Sequence, residues 1–78
     1  MDKEAVLVTW IDPCVIGSWT HEDELELTFE PMKALGFLIA ENEHGIAIAV
    51  AWDHIELHAN GILIIPHACI IDMKKIEI

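Results

Sequence analysis

The chain contains no arginine and only four lysines (Lys3, Lys33, Lys74 and Lys75) against 14 acidic residues, a formal net charge of −10. Nucleic-acid binding rests on Lys and Arg neutralising phosphates, so this deficit excludes RNA and DNA as expected partners. Tyrosine is absent, and the four glycines (Gly17, Gly36, Gly45 and Gly61) are isolated. No glycine-rich phosphate loop can be built from them. The two cysteines, Cys14 and Cys69, form no C-x-x-C pair, which removes the usual redox and zinc-ribbon signatures. No apolar run reaches the ~18 residues of a membrane helix. The start, Met1-Asp2-Lys3-Glu4, has neither the basic head nor the apolar block of a secretory signal. The expectation is a cytoplasmic protein without membrane contact, its cysteines free thiols rather than a disulfide.

What the chain does have is apolar residues, 54% of 78. That length makes one domain (residues 1–78), close to the size at which a lone core gives marginal stability. So much apolar side chain on so short a chain points to surface hidden by self-association.

Residues 4–11 read as a central strand, Val6, Val8 and Trp10 pointing one way and Ala5, Leu7, Thr9 and Ile11 the other. Asp12-Pro13 breaks it. Residues 12–23 form a loop carrying Trp19, read as a lid on the core edge with an exposed binding anchor as the alternative. Thr20, with Asp23 three residues on, can cap one helical turn. Glu24-Leu25-Glu26-Leu27-Thr28-Phe29-Glu30 alternates with period two, as in a half-buried strand with glutamates in water; a helix would scatter its apolar residues, and part of an irregular loop is the other reading. Residues 32–41 form the next strand, where Gly36 suggests a bulge or bend. Residues 42–45 turn, with Gly45 suited to positive φ. In residues 46–52, Ile46, Ile48, Val50 and Trp52 oppose Ala47, Ala49 and Ala51. Ala49 therefore lies on a face that a close neighbour, such as another subunit, could cover. A hairpin is expected at Asn60-Gly61.

The last stretch, Gly-Ile-Leu-Ile-Ile-Pro-His-Ala-Cys-Ile-Ile-Asp-Met-Lys-Lys-Ile-Glu-Ile, organises the rest. Its first apolar run stops at Pro66, which cannot extend a central strand, and a second starts at Ile70. Two short strands joined by one 3-10 turn fit this pattern. The order of parts resembles small barrels of the Src-homology and Sm-like types, and Ile65-Pro66-His67-Ala68-Cys69-Ile70 resembles the turn before the last strand of a Src-homology barrel. The resemblance implies an all-β fold: a small five-stranded partly open barrel with a long irregular loop after the first strand. Proline-peptide binding does not carry over, because those barrels build the groove from tyrosines and Cys69 stands where one is usual.

The order Val6, Val8, Trp10, Asp12, then Trp19, Glu22, Asp23, then Gly36, Phe37, Leu38, and finally Ile65, Pro66 also resembles short tailed-phage proteins of unknown role. That resemblance implies a phage accessory protein made in the host cytoplasm, and it supplies no catalytic residues.

Three chemistries remain to be weighed. His54, His58, His67 and Cys69 are zinc-competent types. On a strand, however, His54 and His58 lie about 13 Å apart at ~3.3 Å per residue, and only a helical turn would let them share an ion. Asp12, Glu22, Asp23, Glu24, Asp53 and Glu56 offer carboxylates, but none is marked by an apolar setting that would raise its pKa. Cys14 sits beside Asp12, which dulls a thiolate. A self-associating barrel makes intersubunit pockets, where a small ligand of host-defence signalling is the alternative to a host protein. The expectation is therefore a non-catalytic binding module with no cofactor, a homo-oligomer joined edge to edge, with Trp19, Trp52 and Ala49 as interaction residues.

Overall fold

The computed structural model describes residues 3–12 and 18–77, so Cys14 lies outside the described residues. Five strands follow one another: β1 (Ala5–Trp10), β2 (Met32–Glu41), β3 (Gly45–Asp53), β4 (His58–Pro66) and β5 (Ile70–Ile76). Two 3-10 turns, Glu22–Glu24 and His67–Cys69, complete the elements. The fold is all-β. The strands form one antiparallel sheet in the order β4-β3-β2-β1-β5.

This sheet does not close into a barrel, which corrects the expectation of a partly open one. β4 and β5 are the two edges and each pairs on one side only. Two of the strand pairs carry irregularities. The register slips between Thr9 and Trp10 against β5, and between Leu38 and Ala40 against β3. Such slips bend and twist a sheet locally, yet β4 and β5 do not pair with each other.

β1 is an interior strand, paired with β2 on one side and β5 on the other. Val8 stands opposite Ala34 on one side and Met73 on the other, and Val6, Val8 and Trp10 are buried as their alternation requires. They pack with Ile46, Ile48 and Ile65, flanked by Ala34, Leu38, Cys69 and Ile70. On β3 the expected core face runs out early: Ile46 and Ile48 are buried, Val50 is 76% exposed and Trp52 half-buried. Bend and glycine also part company in β2. The slip falls at Leu38/Ala40, whereas a Cβ on Gly36 would stand 2.8 Å from the Ala49 carbonyl oxygen. Gly36 is there for close approach of strands.

Two turns differ from expectation. At residues 42–45, Gly45 has no positive φ. Asn42 makes the turn, its Oδ1 accepting from the amides of His44 (2.8 Å) and Gly45 (3.2 Å). The β3–β4 hairpin turns at residues 54–57, not at Asn60-Gly61. There Asp53 Oδ1 accepts from the amides of Ile55 (2.9 Å) and Glu56 (3.4 Å), and Leu57 takes φ 58°. An Asx turn has outcompeted the Asn-Gly signal, and Gly61 spends its positive φ of 68° inside β4 beside Val50.

The core is small for the chain. The radius of gyration is 16.0 Å, where a compact domain of this length has about 11.5 Å. The accessible surface is 6537 Å², where a monomer of this mass has about 4,800 Å².

Candidate functional site

Residues 18–31 form an arm between β1 and β2 that is exposed throughout. It holds its shape locally. Thr20 Oγ1 donates to the Ser18 carbonyl at 3.3 Å instead of capping the helical turn. His21 is the cap, its Nδ1 accepting from the Asp23 amide at 3.2 Å. The amides of Glu24 and Leu25 then close the turn onto the carbonyls of His21 and Glu22. Leu25 leaves the turn extended, at φ −74°, ψ 128°.

From there the period-two pattern continues in a segment without a sheet partner. Leu25, Leu27 and Phe29 are exposed, Leu27 by 84%, so the half-buried strand expected at residues 24–30 is not formed within the chain. Trp19 is fully exposed rather than a lid. Trp52 packs against Phe37 and His54, each ring centroid 6.1 Å away. Ala49 is covered by its own chain, 1% exposed between Phe37 and Ile62 in register.

The exposed apolar surface continues on both sheet edges. On β4, Ile62 and Ile64 are exposed; on β5, Ile71 and Met73 are. β5 also carries Lys74 and Lys75, the latter 3.2 Å from Glu4.

At the far end of β3 a hollow of about 360 Å³ opens beside β4, lined by Ile46, Ala47, Ile64 and Pro66 with Glu41 and His44 at its rim. Its wall is tied by His67, whose amide donates to the His44 carbonyl at 3.0 Å and whose Nε2 reaches the Asn42 carbonyl at 2.7 Å. That bond occupies His67 structurally. His54 lies in the hairpin turn and His58 opens β4, while Cys69 packs half-buried against the core. Among the described residues no three His, Cys, Asp or Glu side chains converge on a point where an ion could sit.

The six carboxylates singled out in the sequence are all exposed. Two have structural duties, Asp12 accepting from the Trp10 indole at 2.6 Å and Asp53 holding the hairpin turn. No polar or charged side chain among the described residues is buried. No helix among them is long and apolar enough to cross a membrane. Sequence reasoning missed the combination of an unpaired arm and an open β5 edge. The alternation of residues 24–30 was the signal, but it does not say which chain the strand pairs with.

Comparison with protein-family models, with curated proteins and with solved structures returned no match.

Proposed function

We propose that the chain is a non-catalytic interaction module, a phage-encoded accessory protein that acts in the host cytoplasm as a homo-oligomer. The observation that carries this reading is the mismatch between core and exposed apolar surface. Among the described residues seven apolar side chains are buried, while Trp19, Leu27, Phe29, Leu35, Ile62, Ile64 and Ile71 stand in water. Monomers rarely leave contiguous apolar patches beyond a few hundred Å², and open sheet edges invite pairing. The kinship with Src-homology and Sm-like barrels is part of the same proposal. It is supported by the meander from β1 to β4, the return of β5 beside β1, and the 3-10 turn after Ile65-Pro66.

Light scattering at micromolar concentration tests the oligomer: a mass near the chain's 8.8 kDa overturns it. Capture of a basic or apolar host protein by the oligomer, and not by a dissociated variant, is the expected functional result.

The hollow beside β4 favours a second reading, in which the oligomer sequesters a small ligand of host-defence signalling. Its volume falls in the range of small-molecule sites, and its lining is apolar with a few polar groups at the rim. A ligand that binds only the folded state raises the melting midpoint, so thermal shifts against nucleotides and metabolites separate the two readings.

A further inference from the structure

We propose that residues 24–30 add as an antiparallel strand to the free edge of β5 in a second copy of this chain, with Leu27 opposite Met73. This rests on the self-association reading and names the elements that perform it.

Three observations converge. The arm has strand periodicity, yet among the described hydrogen bonds none joins residues 26–31 to the sheet. β5 is an edge strand whose outer side has no partner. Both segments are seven residues long, so full overlap leaves only two arrangements. The antiparallel one sets Glu26 opposite Lys74, Leu27 opposite Met73, Phe29 opposite Ile71, and Leu25 along the methylenes of Lys75. The parallel one sets Glu26 beside Asp72. Opposite charges across a strand pair stabilise it and like charges oppose it, so the antiparallel arrangement is selected. It also joins the exposed apolar row of the arm to the exposed Ile71 and Met73.

The edge of β4 is the poorer acceptor. It has no lysine and ends at Pro66, which lacks an amide hydrogen.

The acceptor cannot be the arm's own chain. In this register Glu30 lies beside Ile70, Ile70 beside Trp10, and Trp10 beside Met32. Three strand spacings of about 4.8 Å separate Glu30 from Met32 by roughly 14 Å. Only Pro31 connects them, and two Cα steps reach about 7.6 Å at most. A second copy is therefore required. Each chain then donates one arm and receives one, and the excess of about 1,700 Å² of surface over an ordinary monomer leaves room for both contacts.

The test is a pair of measurements on the full chain. In a Cys14→Ser, Cys69→Ser background, Leu27→Cys with Met73→Cys is oxidised and the linked peptides are mapped. A disulfide joining position 27 of one chain to position 73 of another is expected. A bond within one chain, free thiols in a protein that still scatters as an oligomer, or, in a variant that also carries Leu63→Cys, preferential linkage of position 73 to position 63 overturns the proposal. The last outcome would assign direct β4–β5 pairing and leave the self-association reading intact. In parallel, Glu26→Lys and Lys74→Glu are each expected to weaken assembly about tenfold, with circular dichroism unchanged because both side chains are exposed. The double exchange is expected to restore assembly. Single variants that assemble like the parent, or a double exchange without rescue, overturn the register. A parent that is monomeric by scattering overturns both the register and the reading beneath it.

Discussion

Trp10 donates its indole Nε1–H to Oδ1 of Asp12 at 2.6 Å, across the point where β1 ends. The bond holds the largest core side chain in place. Asp12 itself is exposed while Trp10 is 7% exposed. Asp12→Ala removes the acceptor and leaves the indole N–H to find water at the edge of the core. A loss of about 1 kcal/mol is expected, read as a lower urea midpoint at unchanged slope.

Gly36→Ala should cost more than its single methyl suggests. The added Cβ would stand 2.8 Å from the Ala49 carbonyl oxygen, a backbone atom that cannot rotate away. Separating β2 from β3 there is expected to cost about 2 kcal/mol, the usual scale of overpacking. Equal stability of variant and parent in denaturant titration would show that the strands can part freely.

Adjacent isoleucines in β4 should behave as opposites. Ile65 is 2% exposed within the core and Ile64 is 75% exposed. Ile65→Ala is expected to lose about 3 kcal/mol through lost burial and a residual cavity, enough to unfold much of so small a domain. Ile64→Ala should change the stability of the dissociated chain by less than about 0.5 kcal/mol. Thermal melts at submicromolar concentration compare the two.

Ala49→Glu should prevent folding rather than dissociate an otherwise sound monomer. The site is enclosed by the chain itself, and an unpaired carboxylate there has no partner to offset its desolvation. A folded, monomeric Ala49→Glu protein would return Ala49 to the list of subunit contacts.

Stability should rise as sodium chloride increases from low to physiological strength. A net charge of −10 on 78 residues repels itself in the compact state, and screening relieves that repulsion. The only lysine–carboxylate contact among the described residues is the exposed Lys75–Glu4 pair at 3.2 Å, too little to reverse the sign. A melting temperature that falls steadily with added salt would contradict this.

The sequence alone determined β1, β2 and the turn that leads into β5. Alternation around Val6, Val8 and Trp10 defines β1, and residues 32–41 coincide with β2. Proline at position 66, followed by three turn residues and a new apolar run, locates the 3-10 turn and β5. These features are local: side-chain period and the missing amide of proline act within a few residues. Tertiary structure decided the rest, because it depends on competition between distant groups. Asp53 outcompeted Asn60-Gly61 for the hairpin turn by capping two amides. Val50 shares the pattern of Ile46 and Ile48 yet lies beyond the core, 76% exposed. Gly45 is required not by its φ but because a Cβ there would collide with the Ile65 carbonyl oxygen of the neighbouring strand. Above all, period two in residues 24–30 specifies a strand, but a strand needs an edge, and where an edge lies open is a property of the assembled sheet.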